Sequence, residues 1–506
     1  MESLSLLISG IESALSLQVL LATLMGVVVG LIIGVLPGLG PSAGVAILLP
    51  IAVGLGGSAA IAALAGVYYG AMYGGAVTSI LLGIPGDAPS IMTVIDGHSL
   101  AKKGQAGRAL GVTVYASFVG GMVGLLLLTF LAVYISEAAL AFGTPDMAAL
   151  MLLSLSFVTA LGGRNMVKGF SALCIGLILG MVGLDPIVGP SRINFGINQL
   201  IDGLDFAVVA IGLFGFSEIF NSMLNKDEHL NKSMRPSLAS LMPRARDFLA
   251  TKWEMFISSL IGFVVGILPG VGATTATIMS YAAAKKYSKD SDQFGKGSIQ
   301  GVAAPEAANN SASYSSMIPL FTLGIPGSAT TAIMLGGLLM IGLQPGPLLF
   351  VNNSEFVWTV FGSFYIGNMM LVFITILAIP LLASVMLIRM RILYPIIFAI
   401  ILYGVYSINL SAFDLGVAFV FGLIGFLFMK LEYPMVPLIL GMVLGPMLER
   451  GIRRTLISSD GSYMPFFDRP ISATLIGITV AIILAQIILK YVRKPKPQVN
   501  QGYEEI

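Results

Sequence analysis

The segment GVLPGLG at residues 34–40, the first motif, is nearly repeated as GILPGVG at residues 266–272, the second motif. A shorter segment, LGIPG, occurs at residues 82–86, the first break, and again at residues 323–327, the second break. Each Gly-Pro-Gly element interrupts an apolar stretch that would otherwise form a membrane helix. Irregular backbone at membrane depth persists only where protein or a water-filled cavity satisfies its N–H and C=O groups. Paired interruptions in two halves are typical of the binding sites of secondary transporters.

The composition is that of a membrane protein. Of 506 residues, 56% are hydrophobic and only 10% are charged, whereas soluble domains carry about 25% charge. Apolar runs of about 20 residues recur along the chain, which predicts an all-α polytopic membrane protein embedded in the lipid bilayer. The net charge of +2 and the lack of a basic patch argue against a nucleic-acid partner. Two histidines, one cysteine and no phosphate-binding loop argue against an enzyme, a cofactor and a metal centre beyond a possible Na⁺.

The repeated segments divide the chain into two halves. The two motifs are offset by 232 residues (266 − 34) and the two breaks by 241 (323 − 82), and an insertion between Lys285 and Lys296 accounts for the difference. We therefore predict a first repeat over 1–225, a linker over 226–252, a second repeat over 253–450 and a C-terminal helix over 471–491.

Lysine and arginine favour cytoplasmic loops, and they predict that the two repeats are inverted relative to each other. Basic residues at 102–108, 164–168, 226–252 and 285–296 place four loops inside. The segment 254–284 leaves and re-enters the cytoplasm within about 31 residues, too few for two spans, which need about 40. It is therefore expected to be a re-entrant hairpin, and its counterpart 17–54, without basic flanks, to enter from outside.

The remaining topology follows from these assignments. Broken helices are expected over 57–97 and 297–343, followed by plain helices to about 222 and 449. The prediction is two inverted-topology repeats with about 11 crossings plus two hairpins. Four arginines of the loop near 450–470 fall outside and argue against this arrangement: Arg450, Arg453, Arg454 and Arg469.

Broken membrane helices offer two kinds of ligand. Half-helix N-termini carry partial positive charge and free N–H groups, which suit a carboxylate. Half-helix C-termini and nearby hydroxyls offer oxygen to Na⁺. For the hydroxyl residues next to these breaks, the alternative is a structural role in which Ser and Thr only cap or pack helices. The candidate substrate contacts are Gly38, Gly40, Pro41, Ser42, Gly86, Asp87, Gly270, Gly272, Ala273, Thr274, Thr275, Asn309, Asn310, Ser311, Pro326, Gly327 and Ser328.

The segment Ala303–Ser316 is the most polar stretch at membrane depth. Asn309 and Asn310, with the adjacent serines Ser311 and Ser313, either bind substrate or cation or form helix–helix hydrogen bonds. Glu306 is a candidate for proton coupling, with capping or pairing near Lys296 as the alternative, and Asp87 either caps a half-helix or binds a cation. The candidates for a coupling Na⁺ or H⁺ are Ser42, Asp87, Thr274, Glu306, Asn310, Thr330 and Thr331.

Long stretches around both motifs and both breaks, including YYGAMYGGAVTSILLGIPGDAPSIMTVIDGHS and APEAANNSASYSSMIPLFTLGIPGSATT, resemble a known family. It is the large membrane subunit of the bacterial tripartite tricarboxylate transporters, the TctA-like family. The resemblance implies an importer of carboxylates, citrate among them, driven by an ion gradient across the bacterial inner membrane. It also implies two partners, a small membrane subunit and a periplasmic solute-binding protein, and an elevator-like mechanism.

Two departures from the family pattern lie at the presumed site. Gly83 stands where Asn is expected, with Asp87 where Glu is usual. After the paired asparagines, where mostly Ala and Gly are expected, the chain has Tyr314, Ser315 and Ser316. These differences bear on the substrate. The alternatives are a stand-alone transporter or exporter without a binding protein and, from another class, a membrane-embedded enzyme or scaffold, which would need a catalytic constellation at depth.

Overall fold

A computed structural model describes residues 2–36, 38–161, 166–185, 187–224, 241, 244–385 and 390–492, and 81% of these described residues are helical. The helices are α1 (Glu2–Ala14), α2 (Leu17–Val35), α3 (Pro41–Val53), α4 (Gly57–Leu82), α5 (Ile91–Lys102), α6 (Ala106–Leu140), α7 (Thr144–Leu161), α8 (Met166–Gly180), α9 (Phe206–Ile211), α10 (Ser217–Leu224), α11 (Ala245–Ile267), α12 (Gly272–Tyr287), α13 (Ile299–Ser315), α14 (Met317–Leu323), α15 (Ala329–Met340), α16 (Pro347–Asn352), α17 (Ser354–Val385), α18 (Met390–Asn409), α19 (Ala412–Lys430), α20 (Met435–Ser458), α21 (Pro465–Asp468) and α22 (Pro470–Val492). A π-helical turn, Gly212–Phe216, joins α9 to α10, and two-residue strands pair Gly183–Leu184 with Ser191–Arg192.

The apolar helices are those of a multi-pass membrane protein. In the described part of the chain, seven helices are long and apolar enough to cross a bilayer: α2, α4, α6, α11, α17, α19 and α20. Shorter apolar helices, including α3, α8 and α15, accompany them. The predicted count of about 11 crossings, the two hairpins and the inverted topology stay predictions. The predicted linker 226–252 lies outside the described residues except for 241 and 244–252, and α11 already begins at Ala245.

Close glycine contacts pack two helix pairs in the same way. In the first half, a Cβ on Gly34 of α2 would lie 2.2 Å from the carbonyl oxygen of Ala71 on α4. In the second half, a Cβ on Gly266 of α11 would lie 2.5 Å from the carbonyl oxygen of Ala312 on α13. Gly266 stands 232 residues after Gly34, and Ala312 stands 241 residues after Ala71, which are the two offsets of the sequence repeat. Glycine is therefore required at both positions, because the backbones touch there.

The helices end at the repeated Gly-Pro-Gly elements. Gly38 and Gly270 have φ of +89° and +78°, and Gly83 and Gly324 have φ of +74° and +69°. These positive φ values are disfavoured for residues with a side chain. Helix α4 ends just before Gly83 and α14 just before Gly324, so matched glycines terminate matched helices.

Candidate functional site

Two helices that are buried over most of their length, α4 and α13, carry many polar residues. All of α13 from Gly301 to Ser315 is buried, and so is α4 from Ala59 to Leu81. The polar stretch therefore lies inside the protein and does not face lipid, as the cost of unsatisfied polar groups in hydrocarbon requires.

Helix α13 presents two polar faces, because residues four apart lie on one side of a helix. On one face, Asn309 is followed by Ser313 and Ser316, and the Tyr68 side chain of α4 lies against both serines and against Ser328 beyond the second break. On the other face, Glu306, Asn310 and Tyr314 follow one another. The rings of Tyr314 and Tyr69 of α4 are 3.9 Å apart between centroids.

Several buried polar atoms between α4 and α13 have no hydrogen-bond partner in the described part of the protein. They are the side-chain oxygen and nitrogen of Asn309, the side-chain oxygen of Asn310 and the hydroxyls of Tyr69, Tyr73 and Tyr314. We call these five residues the central polar cluster. Buried polar groups in native proteins are nearly always paired, so this concentration of unpaired groups indicates a place where water, an ion or a substrate binds.

The second break is joined to both motifs. Ser328 caps α15, accepting a hydrogen bond from the Thr331 amide at 3.2 Å. The adjacent Thr330 hydroxyl lies 3.0 Å from the hydroxyl of Ser42, which stands in the first turn of α3. The backbone of the second motif also contacts the second break, because the Gly270 amide donates to the Gly327 carbonyl at 2.9 Å. Predicted residues from both halves thus meet.

Asp87 directly follows the first break and is 7% exposed. Its Oδ1 accepts a hydrogen bond from the Ser90 amide at 2.9 Å, just before α5, while its Oδ2 has no partner among the described residues. A Cβ on Gly40 of the first motif would lie 3.8 Å from the Asp87 Cβ. At Gly83, where the family resemblance leads us to expect Asn, a Cβ would lie 2.7 Å from the His98 ring. The Asp87 carboxylate is thus held beside the first motif with one oxygen free.

Other predicted residues serve their own helices or their neighbours. The Thr275 hydroxyl donates to the Val271 carbonyl, and Ala273 and Thr274 are partly exposed in the first turn of α12. The Ser311 hydroxyl donates at 2.7 Å to the Ser259 carbonyl on α11, which is the helix–helix alternative stated above. For these residues the structural role accounts for the contacts observed.

Two buried carboxylates have partners that the sequence did not indicate. Glu306 accepts hydrogen bonds from the hydroxyls of Thr93 on α5 and Ser117 on α6. Neither capping nor a pairing with Lys296 is observed. Asp96 on α5 accepts hydrogen bonds from the Tyr281 hydroxyl and from three backbone amides that precede α13. Each partner is an ordinary residue of a different segment, so no local pattern could have revealed these contacts.

An apolar cavity of about 190 Å³ lies behind the second break. Its lining includes Phe157 of α7, Leu268 and Pro269 of the second motif, and Ile318 and Leu323 of α14. Because almost all of its surface is apolar, it does not suit a carboxylate, which needs hydrogen-bond donors or positive charge. The oxygen atoms and amides that suit an anion or a cation, around Ser42, Asp87 and the central polar cluster, are not part of this lining.

Comparison with known proteins identifies the family. An uncharacterized 52.8 kDa protein in the TAR-I ttuC' 3' region of Agrobacterium vitis is 38% identical over 445 residues, 88% of each chain. An uncharacterized protein in the TAR-II ttuC' 3' region of the same organism is 39% identical over 239 residues, 47% of this chain and 98% of its own. No solved structure matches the chain. The sequence model of the tripartite tricarboxylate transporter TctA family matches residues 20–440. The resemblance seen in the motifs is thereby confirmed, and the chain belongs to the tripartite tricarboxylate transporter TctA family, a family of transporters and not of enzymes.

Proposed function

We propose that this chain is the large transport subunit of a tripartite, ion-gradient-driven importer of organic carboxylates, tricarboxylates or related acids, in the bacterial inner membrane. In this proposal it works with a small membrane subunit and receives its substrate from a periplasmic solute-binding protein. Family membership supports the class of transporter. The geometry around the second break supports the kind of ligand.

The observation that carries the proposal is the meeting of two helix N-termini. Helix α3 begins at Pro41 and α15 at Ala329, each directly after a Gly-Pro-Gly element, and the Ser42 and Thr330 hydroxyls are 3.0 Å apart. Helix N-termini favour anions through their free amides and partial positive charge. Two such ends at one place suit a substrate carboxylate.

Oxygen atoms that can hold a cation accompanying the substrate lie close by. Asp87 offers an unpartnered carboxylate oxygen, and the Ser42 and Thr330 hydroxyls offer neutral oxygen atoms. A cation at such oxygens would offset the negative charge of the substrate. The ion whose gradient drives uptake is Na⁺ or H⁺.

An elevator-type cycle is part of the same proposal. The Ser42–Thr330 contact joins the segment after the first motif to the segment after the second break across the two halves, and the Gly270–Gly327 hydrogen bond joins the second motif to the second break within the second half. Elements tied in this way can move as one body past the remaining helices. The site would then keep its geometry while its access changes sides.

The test is uptake into proteoliposomes that contain this chain and its small subunit. A panel of labelled tri- and dicarboxylates would be offered under an inward Na⁺ or H⁺ gradient, with and without the binding protein. We expect uptake that requires both the gradient and the binding protein. Uptake without the binding protein would favour a stand-alone transporter, and absence of carboxylate uptake under every gradient would refute the proposal.

A pair of matched variants tests the place of binding. Thr330→Val removes the hydroxyl that meets Ser42, and we expect at least a tenfold loss of uptake. Thr474→Val makes the same change on α22, where the exposed hydroxyl donates a hydrogen bond to the Pro470 carbonyl of its own helix, and should leave uptake unchanged. Equal uptake in both variants would remove the second break from the binding site.

A further inference from the structure

Glu306 is a buried acid held by neutral groups from two neighbouring helices. It lies in the middle of α13 and is 1% exposed. Its Oε1 accepts a hydrogen bond from the Thr93 hydroxyl of α5, and its Oε2 accepts one from the Ser117 hydroxyl of α6 at 3.0 Å. The carboxyl group therefore joins three helices without help from a basic side chain among these partners.

The other titratable groups that face Glu306 also lack positive charge. Tyr73 of α4 and Asp87 of the first break lie within electrostatic range of it. The neighbouring acid of α5, Asp96, is satisfied by Tyr281 of α12 and by backbone amides. Helix α11 meets α13 through glycines such as Gly262. Arg108 of α6 pairs with Asp247 of α11 at 2.7 Å, so this positive charge is balanced by its own partner.

A charged carboxylate in these surroundings is costly. Removing a charge from water requires a partner of opposite sign or several hydrogen bonds. Asp87 accepts one hydrogen bond, from the Ser90 amide, and lies just before α5, where the partial positive charge of the helix N-terminus favours a carboxylate. Glu306 lies far from both ends of its helix and has one hydroxyl for each oxygen. It therefore needs a cation of its own.

The number of ligands distinguishes a proton from a metal ion. A hard metal cation takes several oxygen ligands at once, whereas both Glu306 oxygens are already engaged with single hydroxyls. A proton needs only one carboxylate oxygen. When it binds to Oε1, the carboxylic acid donates to the Thr93 oxygen, and Thr93 turns from donor to acceptor. On release the proton passes to water and the carboxylate again accepts from both hydroxyls.

We propose that Glu306, with Thr93 and Ser117, is the site that takes up and releases the coupling proton. The proposal rests on the proposed function and assigns the coupling ion within it. Helix α5 follows the first break, and α13 leads through α14 to the second break. Protonation of Glu306 therefore acts on the contact between the two helices that flank the breaks, which couples the proton to the movement of the substrate site.

The experiment uses the complete transporter in proteoliposomes with a trapped pH dye and a labelled carboxylate. In Glu306→Gln the amide replaces the acid at similar size and cannot release a proton. We expect it to retain exchange of labelled for unlabelled substrate but to lose accumulation under a pH gradient by at least tenfold. Glu355→Gln, at an exposed position on α17, is the matched control and should keep both activities.

Several results would overturn the assignment of the coupling proton to Glu306. The assignment would be overturned if Glu306→Gln still accumulates substrate under a pH gradient. It would also be overturned if a folded Glu306→Gln variant loses both exchange and accumulation. If Glu306→Gln does not fold, the wild-type dye signal decides, since substrate entry without proton entry also overturns it. Glu306→Asp, which keeps the acid, should retain proton-driven uptake. Absence of carboxylate exchange in the wild-type protein would instead refute the proposed function.

Discussion

Asp96 ties the first half of the chain to the second, and its removal should loosen the start of α13. The residue is 0% exposed. Its Oδ2 accepts from the Tyr281 hydroxyl at 2.8 Å, and its Oδ1 accepts from the amides of Gly295, Gly297 and Ser298 at 2.9, 2.8 and 2.8 Å. These amides stand immediately before the helix that carries Asn309, Asn310 and Tyr314 of the central polar cluster, so the contact positions the site.

The structure gives the size of the expected effect. In Asp96→Ala the amide of Ser298 and the hydroxyl of Tyr281 lose their acceptor inside the protein, whereas the exposed Gly295 can bond to water. Each buried donor left unsatisfied costs about 1–3 kcal/mol. A local loss of about 3 kcal/mol corresponds to a roughly 100-fold rise in amide exchange. Asp96→Asn keeps an acceptor but loses the charge, so about 1 kcal/mol and roughly a fivefold rise are expected.

Hydrogen exchange followed by mass spectrometry on peptides spanning residues 295–305 measures this directly. The matched control is Asp292→Ala, which removes an exposed acid from the same loop and should leave exchange unchanged. If Asp96→Ala exchanges within about threefold of the wild-type protein, or no faster than the control, the carboxylate does not hold this segment and the reasoning is refuted.

Three further predictions concern other parts of the protein. The Arg453 guanidinium holds the pKa of Asp185 well below its usual range. The ionised Asp185 carboxylate should therefore stabilise the folded protein fully at pH 7, and this stabilisation should be lost progressively as the pH falls below about 4. The gap in melting temperature between wild type and Asp185→Asn should shrink accordingly, and a constant gap would contradict this. Lys102→Cys and Lys286→Cys should both resist a membrane-impermeant thiol reagent added from outside, and labelling of either would contradict the inverted repeat. Gly327→Ala places a methyl group 3.3 Å from a carbonyl of the second motif and should reduce uptake more than tenfold at near-normal expression, whereas unchanged uptake would exclude this contact from the site.

Much of the local structure could be predicted from the sequence. The positions where helices end follow from glycine, because Gly38, Gly83, Gly270 and Gly324 adopt positive φ that other residues avoid. Long apolar runs predicted membrane helices, and the polar stretch around Asn309 drew attention to a helix that is buried from Gly301 to Ser315. The motifs themselves also pointed to the family. All of these signals are properties of neighbouring residues.

The composition of the site was decided only by the tertiary structure. Ser42 and Thr330 are 288 residues apart in the chain, and Glu306 is 213 and 189 residues from its partners Thr93 and Ser117. Sequence reasoning named Glu306 as a candidate but not its partners, and it gave Asp96 no role. Single Ser, Thr and Tyr residues carry no local signature of their partners. Such contacts depend on how helices far apart in sequence pack together, whereas helix ends and membrane spans depend on backbone conformation and apolar run length, which are fixed locally.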